Sequence, residues 1–158
     1  MIETIQEPVT GREQVSHDSS PLSALSQFYR ALNTRDLALM EQNWDSSDEA
    51  AMDNPLGGIR RGWAEIRGVY QRLFDAPNRY SFEFYDYTLQ RYGEIFIAIG
   101  RERGQLVMED GTQLKLAIRT TRIFRWTNGR WRQLHHHGSI DDADMLASYQ
   151  QAVSKRAA

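Results

Sequence analysis

The stretch Trp126-Thr127-Asn128-Gly129-Arg130-Trp131-Arg132-Gln133-Leu134-His135-His136-His137-Gly138-Ser139 reads as two strands joined by a tight turn. Asn-Gly in a two-residue loop favours a type I′ turn, and such a turn fixes strand register. With Thr127 and Arg130 flanking the loop, the opposite pairs are Trp126/Trp131, Phe124/Gln133, Arg122/His135 and Thr120/His137. Opposite residues share a face of the sheet. This register stands His135 and His137 beside Arg122 and Thr120, and turns His136 to the other face with Thr121. The expected constellation is two imidazoles, one guanidinium and one hydroxyl on one surface.

The strand before the turn, 113 to 127, supports the same focus. Leu114, Leu116, Ile118, Thr120, Arg122, Phe124 and Trp126 form one face; Lys115, Ala117, Arg119, Thr121, Ile123 and Arg125 form the other. The first is the core face, apolar except at Thr120 and Arg122. A buried arginine needs a partner or water, because an unpaired buried charge is very costly. A few polar groups within an apolar concavity are the usual signature of a binding pocket. The opposite face, with Thr121, Ile123, Leu134 and His136 among charged neighbours, is half apolar, which points to an oligomer interface.

Upstream, Ser20-Pro21 has the form of an N-cap followed by proline at the first helical position. Leu22, Leu25, Phe28, Tyr29 and Leu32 then recur at helical spacing to about Asn33. Asp36 caps a short second helix ending near Trp44. The segment Ala50 to Gly58 is a short extended piece stopped by Pro55 and paired glycines. A third helix follows Gly62 with Trp63, Ile66, Tyr70 and Leu73 on one stripe. Long strands are expected over 79 to 91, 94 to 107 and 113 to 127, then 130 to 139. A final helix starts at Asp141 and ends near Lys155-Arg156, acids first and bases last as the helix dipole prefers. Residues 1 to 19 are polar without a hydrophobic period and read as a tail or loosely docked arm; residues 20 to 156 form a single domain. Helices followed by neighbouring strands with tight turns imply an α+β domain, with an antiparallel sheet covered on one face by helices.

The chain of 158 residues can bury a full core in one domain. Its 19 Lys and Arg against 21 Asp and Glu give a net charge of −2, so no basic field points to nucleic acid or to a membrane. The absence of cysteine excludes a disulfide framework and a thiol nucleophile. No apolar run approaches the roughly 20 residues of a membrane span. The first residues lack the form of a signal peptide, so a cytoplasmic setting is expected.

From about 22 to 139 the chain resembles the SnoaL-like, nuclear transport factor 2-like superfamily. The order carries the resemblance: long helix, Asn33-Thr34-Arg35-Asp36 turn, short helix, Asp53-Asn54-Pro55-Leu56-Gly57 strand end, Gly62-to-Ile66 helix start, then a curved sheet. The closing Thr121-Arg122, Gly129-Arg130-Trp131 and His135-His136-His137-Gly138-Ser139 are especially like the SnoaL-like group. They are also similar to the association domain of calcium/calmodulin-dependent protein kinase II. The resemblance implies a cone-shaped, strongly curved, mixed but mostly antiparallel sheet wrapped on N-terminal helices, a cystatin-like α+β barrel. A small organic ligand is the expected partner, and the half-apolar outer sheet face points to a homodimer through that face. In ketosteroid isomerases of this fold, a general-base aspartate precedes the proline, a first-helix tyrosine donates to the oxyanion, and a protonated aspartate assists it. Those positions fall at Asn54, Phe28 and Arg122 here. Asparagine cannot accept a carbon-bound proton, phenylalanine cannot donate, and arginine replaces an acid. That mechanism is therefore not expected.

The expected site follows. His135 or His137 acts as base, because imidazole beside a guanidinium favours its neutral form. Arg122 holds an anionic group of the substrate. Trp44, Trp63 and Tyr70 floor the cavity, and Asp53, Asn54 and Thr120 contact ligand. Proton abstraction in an isomerisation, cyclisation or dehydration is the reaction class; a non-catalytic dimeric binding or assembly module is the alternative. No cofactor is expected. A His-x-His strand places two side chains on one face about 6.6 Å apart, and Asp53 could add a carboxylate. Arg122 beside them would repel a cation, and the remaining histidine is His17 in the tail, so no metal is expected.

Overall fold

The computed structural model describes residues 1–14 and 19–154. His17 and the Lys155-Arg156 helix end lie outside the described residues. The chain runs α1 (Pro21–Thr34), α2 (Leu37–Asn43), β1 (Ala51–Asp53), β2 (Arg60–Arg61), α3 (Gly62–Asp75), β3 (Arg79–Tyr92), β4 (Ile95–Val107), β5 (Gln113–Thr127), β6 (Arg130–Ser139) and α4 (Ala143–Ser154). Ser20 caps α1 by accepting from Ser23 N at 3.0 Å, with Pro21 in the first turn, and Asp36 caps α2 by accepting from Leu39 N at 2.9 Å. Both caps satisfy a backbone N–H that the helix leaves open.

The six strands form one mixed sheet in the order β2-β1-β6-β5-β4-β3. β1 and β6 are parallel; the other neighbours are antiparallel. The fold is the expected α+β arrangement, although the sheet stays open, with β2 and β3 as its edges. The N-terminal arm covers part of the β3 edge: Ile5 bridges Tyr87 and Val9 bridges Phe84. Backbone pairing of this kind shields an edge from other chains. Val9 is buried, and Arg30 and Asn33 of α1 donate to the carbonyls of Gly11 and Thr10.

The core lies between α1, α2 and α3 and the helix-covered sheet face. Leu25, Phe28, Met40, Trp44, Ile66 and Tyr70 meet Phe84, Phe96, Leu116, Ile118 and Phe124 there. Along β5 the predicted core face is the buried one, Leu116, Ile118, Thr120, Arg122 and Phe124. No helix among the described residues is long and apolar enough to cross a membrane.

Candidate functional site

The site begins at the turn that fixes β6. Asn128 and Gly129 both have positive φ, 52° and 80°, as a type I′ turn requires. Trp126 then faces Trp131 and Phe124 faces Gln133, as the loop dictates. Beyond that point the register shifts. Ile123 pairs with His135, Arg122 with His136, Thr121 with His137, and Thr120 with Gly138. Leu134 is the extra residue, a β-bulge, and it exchanges the two faces for the remainder of the strand.

The bulge falls where β6 changes its neighbour. Asp45 N donates to the Gln133 carbonyl at 2.8 Å, and from His135 onward the strand pairs with β1. The expected set of His135 and His137 beside Arg122 is thereby corrected. His136 is the inward histidine, buried beside Arg122, while His135 and His137 share the outer face with Thr121 and Ile123.

Arg122 is fully buried and committed to protein partners. It donates through Nη1 to Gln133 Oε1 at 2.6 Å and through Nη2 to Glu102 Oε1 at 2.5 Å. Its guanidinium carbon lies 3.6 Å from the centre of the Phe28 ring, an attractive cation–π placement. Tyr29 donates its hydroxyl to the same Glu102 oxygen. Gln133 donates onward to Asn43, which donates to the Ala24 carbonyl. Burial works against the charge of Arg122, but the Tyr29 hydroxyl and the Glu102 carboxylate hold it protonated, its pKa raised. The role of anchoring a substrate anion therefore has no support in this geometry: Arg122 forms an internal ion pair tying α1, β4, β5 and β6 together. Glu102 is the residue that sequence reading missed. Alternation along β4 from Phe96 to Leu106 places it on the core face, and a buried arginine needs such an acid.

His136 and Thr120 are different. Both His136 ring nitrogens and Thr120 Oγ1 are buried without a hydrogen-bond partner among the described residues. Buried polar groups in that state cost free energy unless water or a ligand pairs with them. Burial, then Arg122, then the flanking His135 and His137 push the His136 pKa well below its ordinary value, so the ring is neutral. Gly138 leaves space beside it: a Cβ there would meet His136 Nε2 at 3.2 Å and Pro55 Cδ at 3.1 Å.

The turn after β1 leads to a cavity of 580 Å³ between α3, the start of β3 and the end of α4. Met52, Leu56, Val69, Leu73 and Tyr80 contribute apolar wall; Asn54, Arg60, Arg72 and Asn78 contribute polar groups. Met52, the cavity residue deepest in the fold, pairs with His136 across β1 and β6. Of the expected ligand contacts, Asn54 lines this cavity, and its Oδ1 accepts from Leu56 N at 3.0 Å. Trp44 and Tyr70 are buried core with ring centres 6.4 Å apart. Trp63 is displaced from the expected floor: its indole donates to Glu41 at 3.0 Å on the helical surface. Asp53 lies on the outer sheet face, between His135 and His137.

Comparison with known proteins agrees with this architecture. The model of the SnoaL-like domain matches residues 22–143. The F-box protein SKIP8 of Arabidopsis thaliana is 26% identical over 147 residues, 92% of this chain and 59% of the relative, so the chain spans little more than half of that protein. A Thiobacillus denitrificans structure, provisionally named a calcium/calmodulin-dependent protein kinase type II association domain, superposes with a TM-score of 0.67 at 26% identity. That match covers 78% of this chain and 97% of the other. A Streptomyces avermitilis protein of the NTF2-like family, provisionally named a dehydratase, gives 0.67 at 18% identity over 76% of this chain and 92% of its own.

Proposed function

This chain belongs to the SnoaL-like domain family, and from that premise we propose that it binds a compact, largely apolar organic molecule in the cavity beside Met52. The ligand's polar group reaches past Met52 to His136 and Thr120, neither of which is among the residues lining the cavity. One observation carries the reading: these two side chains bring buried, unpartnered polar atoms to the helix-covered sheet face, where Arg122, Glu102 and Gln133 are already paired with one another. A ligand hydroxyl or enol can donate to a neutral imidazole and also accept from the threonine hydroxyl. The same neutral ring can take a proton, which supports isomerisation, cyclisation or dehydration as the reaction class. The Streptomyces neighbour's provisional name is compatible with that class.

A matched pair of probes tests the reading. 2-Naphthol, which carries a hydroxyl, is expected to bind more tightly than 2-methylnaphthalene and to shift the amide resonances of Met52 and Leu73. In the His136→Leu variant, and separately in Thr120→Val, 2-naphthol affinity is expected to fall roughly tenfold, the loss of about one buried hydrogen bond. Equal binding of the two probes, or unchanged affinity in both variants, would remove the assignment.

A second reading, dimeric assembly with or without catalysis, is favoured by the outer sheet face. Ile97 stands opposite Ile123, Ile99 opposite Thr121, and Ile99 is 44% exposed. Such an apolar patch suits a second copy of the chain, and the Thiobacillus neighbour's provisional name is that of an association domain. Light scattering at micromolar concentration is expected to give a dimer mass for the wild type and a monomer for Ile99→Glu. A monomeric wild type would remove the dimer.

A further inference from the structure

We propose that Asp53, His135 and His137 form a divalent transition-metal site on the outer sheet face, with zinc as its representative ion. The three side chains come from paired strands. β1 places Asp53 across from His137 and Ala51 across from His135 in parallel register. One ligand atom from each lies within 4.8 Å of the others. Two imidazoles and a carboxylate are a donor set that zinc accepts, with positions left for water or a further ligand.

The hydrogen-bond geometry leaves a place for a cation here. His135 Nδ1 lies 2.9 Å from the Ala51 carbonyl. A carbonyl can only accept, so Nδ1 carries the hydrogen, and in the neutral ring Nε2 presents a lone pair. That nitrogen faces Asp53 Oδ1 at 3.4 Å, and Oδ1 is buried without a hydrogen-bond partner among the described residues. A lone pair opposite a carboxylate oxygen is repulsive unless a positive ion stands between them. Two ligand atoms on a tetrahedral zinc, each bound at about 2.0–2.2 Å, lie roughly 3.3–3.6 Å apart. The backbone bond at Nδ1 is also the kind of support that orients metal-binding histidines. His137 Nδ1 meets Asp53 Oδ2 at 2.6 Å, and its exposed ring is free to open toward an ion.

The electrostatic objection to a metal disappears with the bulge. Arg122 lies on the opposite face of the sheet, neutralised by Glu102, and does not stand beside these ligands. By register, exposed Arg61 of β2 is paired with Ala51 at the rim. The proposal depends neither on the cavity nor on the dimer.

Calorimetric titration of the full, untagged, chelator-treated chain with zinc chloride tests it. One zinc per chain is expected, with a dissociation constant of micromolar order. Cobalt(II) in place of zinc is expected to give the visible absorption of a low-coordinate site. His137→Ala and His135→Ala are each expected to weaken zinc binding by about 100-fold or more, since loss of supporting groups alone costs about 10- to 100-fold. His137 is exposed, so its variant decides the matter if His135→Ala or Asp53→Ala fails to fold. No saturable binding at zinc concentrations on the order of 100 µM would overturn the proposal. So would equal affinity in wild type and His137→Ala.

Discussion

Glu102→Ala is expected to destabilise the fold by about 3–5 kcal/mol, the cost of leaving a buried charge without its partner. Arg122 is 1% exposed and Glu102 4%, so no solvent reaches the pair to compensate. The substitution also deprives the Tyr29 hydroxyl of its acceptor. Chemical denaturation at neutral pH measures the loss. The double substitution Glu102→Leu with Arg122→Met is expected to recover most of it, because an apolar pair avoids the desolvation that the ion pair must offset. A loss below about 1 kcal/mol for Glu102→Ala would mean that the charge is solvated, as surface pairs are. Arg122 would then be available to a ligand after all.

The second large effect is a dependence of stability on pH that originates at His136. Its folded-state pKa is depressed by burial and by Arg122, whereas in the unfolded chain it titrates near the ordinary value of about 6.5. Below that value the unfolded state binds a proton that the folded state refuses. The contribution to stability is therefore complete above about pH 6.5 and is lost as pH falls toward the depressed folded value. The slope does not exceed about 1.4 kcal/mol per pH unit, and the loss sets in as pH falls below about 6.5. The difference between wild type and His136→Leu isolates this term from the other titrating groups. Carboxylates held low by their partners, Glu13 and Asp45 among them, act at lower pH. A wild-type and variant pair with parallel pH profiles would contradict a buried, neutral His136.

Most of the fold is legible in the sequence because local signals mark its joints. Ser20-Pro21 and Asp36 cap their helices, Asn128-Gly129 sets the first four pairs of the hairpin, and alternation along β5 separates core from solvent. The site is less legible because one residue reverses it. Leu134 bulges where β6 leaves Trp44-Asp45 and joins β1, a tertiary exchange of partners with no local turn residue to announce it. A slip of one position moves every side chain beyond it to the other face. The same residues thus separate into two sites. His136 keeps the neighbour and the neutrality that the hairpin reading gave to His135 and His137, whereas those two acquire Asp53 instead of Arg122. Thr120 and Arg122 stand out by their break in an apolar face, a signal that register cannot disturb. Glu102 carries the equivalent signal on β4, where Phe96, Ala98 and Leu106 define the buried face around it.

The most direct measurement on the central claim, that His136 is the buried histidine facing the ligand site, is an NMR titration of the imidazole resonances, assigned by single substitution. His136 is predicted to remain neutral as pH falls through its ordinary pKa of about 6.5 and to shift on addition of 2-naphthol. A His136 ring that takes up a proton near its ordinary pKa of about 6.5, and that does not respond to 2-naphthol, would contradict the account.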